Sequence, residues 1–180
     1  IDKNLRITER GRAALQSGIS LRLACIGIDG MTDGKLSEKA SQYLIKYGQY
    51  AKSPENLQIQ FLQNFEEKIT KFCKNSQKNE EICIKSANFS AKKHQNSSIL
   101  LLSGFPDRLA VRLEETRKNA DGSTSPLYQF PSGRKALLHN SKHSQSRWVC
   151  TPEVKAGQTE ALIFDFEELD EKEVNEWLSE

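Results

Sequence analysis

The sequence predicts an α+β chain in which an antiparallel helical bundle precedes a small β domain and a short C-terminal helix. Three observations carry this. From Thr8 to about Asn96 every strong pattern is helical, with apolar residues recurring at intervals of three and four. After Arg117 the pattern changes to short apolar runs punctuated by Gly, Pro, Ser and Asn. Between the two lies SILLLSGFPDRLAVR, residues 98–112, which reads as a hinge. The expected division is therefore 1–117 and 118–180.

The elements follow in order. Leu5 and Ile7 alternate with polar residues as a short strand would, and Thr8 can cap the helix that carries Ala13, Ala14 and Leu15. Gly18 stops it. Ser20 can cap a second helix, with Leu21, Leu23, Ala24 and Ile28 as its apolar contacts and Arg22 exposed early in it. DGMTDG, residues 29–34, reads as a loop, and without alternating oxygen ligands or a terminal Glu it is not a calcium loop. Ser37 can cap a helix with Ala40, Tyr43, Leu44, Tyr47 and Ala51 on one side. Ser53 and Pro54 open the clearest amphipathic helix, where Leu57, Phe61, Leu62, Phe65, Ile69 and Phe72 form one stripe. A stripe of this kind is core rather than a cofactor box. A further helix near Glu80 should bury Ile82, Cys83 and Ala87.

In the hinge, Ile99 to Leu102 is an apolar run too short to span a membrane, so it should be the buried stem of a helix that Gly104 ends. Pro106 and Asp107 suit the first turn of a new helix, with Leu109, Ala110 and Leu113 inward and Arg108 and Arg112 one turn apart and outward. KNADGSTSP then reads as a mobile loop. Leu127–Phe130 and Arg134–Leu138 should pair about the turn Pro131, Ser132, Gly133. Trp148–Thr151 and Thr159–Phe166 make a second candidate pair. Four strands suggest part of an OB-like barrel, a fold that needs five, so the barrel is either incomplete or closed differently. Asp170 and Glu173 form a capping-box-like start for a last helix packed by Leu169, Val174, Trp177 and Leu178.

Charge is divided sharply. Residues 1–150 hold 24 Lys and Arg against 14 Asp and Glu, and residues 151–180 hold 2 against 10. A basic body favours a polyanion such as nucleic acid, although solvated surface lysines give the same count. The acidic tail could lie over a basic face and screen it. Cys25, Cys73, Cys83 and Cys150 contain no CxxC pair and read as buried, reduced thiols. His139 and His143 lack a clear third ligand for zinc. With no signal-peptide core and no membrane-length apolar run, the expectation is a soluble cytoplasmic protein without membrane partners. The start at Ile1 suggests that the chain is cut from something longer.

Three segments, in order, resemble one family. ITERGRAALQSGISLRLA is similar to the passage from the winged-helix domain into the helicase-associated helical domain of DEAH-type helicases. LLLSGFPDRLAVR resembles the end of that helical domain, and its Pro-Asp-Arg at 106–108 is especially like the HrpB-like bacterial branch. YQFPSGRKALL, followed by a Trp that begins another strand, resembles the first strands of the barrel that comes next. The likeness runs from Ile7 to about Phe166, resting on helical pattern alone between Lys35 and His94. It implies that residues 1–117 are the end of a winged-helix segment plus the helical bundle, and 118–180 an OB-like domain.

What the resemblance implies is an ATP-driven motor of two RecA-like domains with these modules beside its nucleic-acid channel. Neither a GxxxxGK[ST] loop nor an Asp-Glu-x-His box is present in this chain. No cofactor is therefore expected here, ATP and Mg belonging to the absent motor domains of the same parent chain. The accessory modules would hold single-stranded RNA or another nucleic acid. Candidates for phosphate contact are Arg108 and Arg112 on the junction helix, Arg134 and Lys135 at the hairpin, Arg147 before the Trp148 strand and, more weakly, Arg22. Arginine suits the role because its fork donates two hydrogen bonds at once. For each of them the plain alternative is a surface charge or an internal salt bridge. Trp148 and Tyr128 could stack on bases or serve as barrel core. The rival reading is a helical protein-interaction module without direct nucleic-acid binding.

Overall fold

The computed structural model describes residues 8–75, 97–118, 122, 124–139, 144–157 and 159–179. The chain divides into two compact units, Ile1–Gly104 and Phe105–Glu180. The boundary thus falls at Gly104 rather than after Arg117.

In the helical unit the local signals act largely as read. Thr8 caps α1 (Glu9–Ser17), its hydroxyl accepting from the Gly11 amide at 3.1 Å, and Gly18 ends the helix at φ 75°. Ser20 occupies the cap position of α2 (Leu21–Asp29), but its side chain makes no cap hydrogen bond. Leu23, Ala24, Ile26 and Gly27 form the buried face of α2, whereas Leu21, expected inside, is 60% exposed. The DGMTDG segment is not a plain loop. Asp33 and Gly34 both take positive φ, 50° and 79°, and turn a two-residue hairpin of β1 (Met31–Thr32) and β2 (Lys35–Leu36). An Asp-Gly pair is suited to that mirror-image turn.

Ser37 caps α3 (Glu38–Tyr47) through the Ala40 amide at 3.2 Å. Ala40, Tyr43 and Leu44 are buried, but the helix ends before Ala51, which is exposed. α4 (Glu55–Asn75) follows Pro54 and buries Phe65 and Ile69, leaving Leu57 exposed. The expected strand at Leu5 and Ile7 and the helix near Glu80 lie outside the described residues. Ile99, Leu100, Leu101 and Leu102 are all at most 2% exposed in a 3-10 helix, Ser98–Ser103, that packs on α2 and α3 and stops at Gly104.

The second unit corrects the reading of the hinge. Only Pro106–Arg108 forms a helical turn, of 3-10 type, and Leu109–Lys118 is a strand, β3. A helical spacing of Leu109, Ala110 and Leu113 loses to ladders with distant partners: β3 pairs antiparallel with β4 (Thr124–Gln129) and with β6 (Trp148–Lys155). β4 pairs with β5 (Lys135–Leu138), β5 runs parallel to β7 (Ala161–Leu169), and β7 pairs back with β6. The cycle β3-β4-β5-β7-β6 therefore closes, and the fifth strand is the segment taken for a helix. The ring is irregular, with register shifts in β3 after Arg112 and in β6 after Cys150, and a parallel ladder from Ala136 to Leu138 only.

Its interior holds Ala110, Tyr128, Phe130, Ala136, Leu138, Val149, Ala161 and Ile163. Asp170 then caps α5 (Glu171–Ser179), accepting from the amides of Lys172 and Glu173 at 2.9 and 3.1 Å. Val174 and Leu169 are buried as expected, and Leu178 is 55% exposed. Among the described residues no helix is long and apolar enough to cross a membrane.

Candidate nucleic-acid interface

The register of the barrel sets one candidate cation, Lys135, on an outward rung and leaves Arg134, Arg112 and Arg147 each one residue off it, Arg112 opposite the buried Tyr128. Lys135 pairs with Gln129, Gln129 with Val111, and Val111 with Trp148, so this rung crosses β5, β4, β3 and β6. Directly paired residues share a sheet face, and Tyr128, Ala136 and Val149, each one residue along, point into the core. The rung therefore faces outward over roughly 15 Å, at about 4.8 Å per strand. Arg134 precedes Lys135, Arg112 follows Val111, and Arg147 precedes Trp148.

Each cation has its own degree of engagement. Lys135 Nζ lies 2.5 Å from Glu115 Oε2 on β3. Arg147 donates to Glu171 Oε1 of α5 at 2.6 Å, with its guanidinium carbon 5.9 Å from the centre of the Trp148 ring. Arg112 donates to Gln145 Oε1 at 3.0 Å, and its amide to the Arg147 carbonyl at 2.8 Å. Arg134 is exposed and its guanidinium has no partner among the described residues; its backbone closes the hairpin through Phe130. Its short turn, Pro131 to Gly133, holds it clear of the sheet.

The other two candidates sit apart. Arg108 lies in the 3-10 turn, partly buried, with Nε 3.3 Å from Asp107 Oδ2 and its carbonyl accepting from Thr151 Oγ1 at 3.2 Å. It is not one helical turn from Arg112, because the intervening chain is extended; at about 3.3 Å per residue the two Cα atoms are roughly 13 Å apart. Arg22 belongs to the helical unit, where it donates to the Gly104 carbonyl at 3.2 Å and ties α2 to the end of the 3-10 helix. The two aromatic candidates differ as well. Tyr128 is fully buried in the barrel core, while Trp148 is half-buried on the outer rung.

One cluster escapes the sequence altogether. His139 stacks on Phe164 with ring centres 4.1 Å apart and planes 23° from parallel, and Lys155 Nζ lies 4.3 Å from the Phe164 ring centre. These residues come from β7 and from the ends of β5 and β6, so only the ladders unite them. Sequence spacing gives no signal for it.

Electrostatically the barrel is not the basic half. Residues 105–180 contain 10 Lys and Arg against 14 Asp and Glu, whereas residues 1–104 contain 16 against 10. The acidic tail does reach a candidate cation, at Glu171 and Arg147. Of the thiols, Cys150 is fully buried and pushed above its ordinary range chiefly by desolvation, and Cys25 is raised for the same reason. Cys25, Cys73 and Cys150 form no disulfide among the described residues. Among the described residues no three His, Cys, Asp or Glu side chains converge as a metal site would require.

No protein-family model matches the chain, and no curated protein matches it. Among solved structures it is similar to the Escherichia coli DExH-box NTPase HrpB, with 20% sequence identity and a TM-score of 0.56, over 99% of this chain and 20% of that one. A structure of the Escherichia coli DEAH/RHA helicase HrpB aligns at 17% identity and a TM-score of 0.45, over 92% of this chain and 20% of that one. The chain spans about a fifth of the length of these helicase structures. What it has in common with the first is a fold that extends along nearly its whole length.

Proposed function

We propose that this chain is the C-terminal accessory region of an HrpB-like ATP-dependent helicase, and that its barrel holds single-stranded RNA beside RecA-like motor domains of the same longer protein. The observation that carries the reading is the likeness of 99% of the chain to one fifth of an HrpB structure. ATP and Mg would bind in the motor domains, and the whole would work in the cytoplasm. The strand order β3-β4-β5-β7-β6 with one parallel pair supports an OB-type barrel. That fold binds oligonucleotides over its second and third strands, which here are β4 and β5.

In this reading Arg134 meets a phosphate first, because nothing among the described residues has to release it. Lys135 and Arg147 exchange Glu115 and Glu171 for phosphate, and Trp148 offers a ring beside them. Such exchange makes the grip weak and salt-sensitive, as a motor that must let its strand advance requires. The test is fluorescence anisotropy of a labelled single-stranded RNA across a salt series. Contact with roughly three to five phosphates gives a log–log slope of about −2 to −3.5. Absence of binding at low salt counts against it.

A second reading, a protein-docking module, is favoured by Leu15, Leu21, Leu57 and Ile59, which are 42–65% exposed on the helical unit. Salt-insensitive, negligible RNA binding would select it.

A further inference from the structure

Away from the barrel, α4 and the segment between α3 and α4 line a half-open cavity of about 210 Å³ beside the C-terminal end of α1. Six of its lining residues decide its chemistry: Gln49, Tyr50, Gln60, Phe61, Asn64 and Lys68. Gln60, Asn64 and Lys68 follow one another at single-turn spacing on α4, so all three present to the same face. No carboxylate lines the cavity, and its one formal charge is the Lys68 ammonium.

We propose that this cavity is a nucleotide site, in which a nucleobase stacks on the Tyr50–Phe61 ring pair, its edge is read by the Gln and Asn carboxamides, and its phosphate meets Lys68. The inference goes beyond the strand-gripping role of the barrel and does not depend on it. The two rings lie with centres 4.7 Å apart and planes 30° from parallel, a π-surface of the kind on which bases stack. Carboxamides carry a donor and an acceptor side by side, the pattern that base edges present. None of the three has a hydrogen-bond partner among the described residues, so none must break one to bind. Lys68 spends one donor on the Ser17 carbonyl at 3.3 Å, which fixes the ammonium and leaves two donors. The Tyr50 wall is also fixed, since Gln58 Nε2 donates to the Tyr50 carbonyl at 3.2 Å and to the Ser53 carbonyl at 2.9 Å. The volume is below the range of drug-sized pockets, roughly 300–1,000 Å³, and suits a single base.

The nucleotide could be free or part of a strand, and two measurements separate these sources. The first is titration of the ¹⁵N-labelled chain with AMP and UMP, with inorganic phosphate as the control. Saturable shifts at the Gly18, Tyr50 and Asn64 amides with a nucleotide but not with phosphate identify a free-nucleotide site. The second is photo-crosslinking of single-stranded RNA carrying 5-iodouridine. Crosslinks at Tyr50 or Phe61 without mononucleotide shifts identify a strand site. Gln60→Ala with Asn64→Ala, both exposed and on the cavity side of α4, should weaken binding roughly tenfold through two lost neutral hydrogen bonds while leaving thermal unfolding unchanged. Arg134→Ala with Lys135→Ala should leave the cavity signals intact, so that weak RNA binding by that variant tells only on the barrel. The proposal is overturned if neither signal appears, if phosphate alone reproduces the shifts, or if the Gln60 and Asn64 changes leave them untouched.

Discussion

Arg147 and Glu171 join the start of β6 to the first turn of α5, with Nη1 and Oε1 2.6 Å apart and the guanidinium 5.9 Å from the Trp148 ring. Both side chains are more than half exposed, so the pair adds little to stability, on the order of 0–1 kcal/mol. In the proposed strand-gripping role, the Glu171 carboxylate of the acidic tail would compete with a phosphate for Arg147. Glu171→Gln should therefore raise affinity for single-stranded RNA by about two- to fivefold at low salt, and the gain should fade as salt screens the exposed charges. Anisotropy at two salt concentrations checks this, and an unchanged affinity removes Arg147 from the interface.

At the hairpin, Arg134→Ala with Lys135→Ala should weaken RNA binding and lower the magnitude of the salt slope by about 1.4, roughly 0.7 per phosphate contact on a single strand. Stability should change by under about 1 kcal/mol, because Arg134 is exposed and Lys135 has only the solvated Glu115 pair to lose. An unaltered slope in a folded variant would exclude the hairpin.

The helical core has a sensitive point where α2 meets α4. A methyl group at Gly27 would sit on the Phe65 ring, which is 2% exposed. Gly27→Ala should cost about 1–3 kcal/mol as overpacking, read in a thermal or denaturant melt. Adding Phe65→Leu should recover part of the loss; no recovery would show that the contact is not the cause.

Cys150 pairs with Leu109 in the ladder and is fully buried, so its thiolate is inaccessible as well as disfavoured. In the native protein iodoacetamide at mildly alkaline pH should leave Cys150 unmodified while Cys73 and, more slowly, Cys25 react. Peptide mapping would read the three separately. Equal labelling of Cys150 would mean that the barrel opens between β3 and β6.

Asp29 supplies a pH dependence. Burial, the largest influence, raises its carboxyl above the ordinary 3.8, although Arg10 at 2.5 Å and a Ser103 hydrogen bond pull the other way. A raised folded-state value means that the native protein binds this proton more tightly than the unfolded chain. The contribution to stability is then full below 3.8 and is lost as pH rises through the folded value. Relative to Asp29→Asn, wild-type stability should fall over that window, and urea melts from pH 3 to 7 would show a flat difference if the assignment is wrong.

Much of the helical unit is legible in sequence because its signals are local. Thr8 and Ser37 cap within three residues, Gly18 stops a helix at the residue where it stands, and the Phe65–Ile69 face follows from a spacing of four. The same locality explains the errors. Leu21 has the spacing of a core residue yet no neighbour to cover it, and Asp33-Gly34 reverses the chain in a segment without an apolar pattern.

Strands behave differently, since half of each ladder's hydrogen bonds belong to residues elsewhere in the chain. Leu109, Ala110 and Leu113 have helical spacing, yet Leu109–Lys118 is extended because β4 and β6 lie on either side of it. Sequence by itself determined the α+β order, the caps at Thr8, Ser37 and Asp170, the 131–133 turn and the kinds of side chain available for an anion. Tertiary structure alone decided that the barrel closes, that Lys135, Gln129, Val111 and Trp148 share a rung, and that Arg22 donates to the Gly104 carbonyl. The reason is physical: a cap or a turn is settled within a few residues, whereas register and ion pairing depend on which distant segments meet.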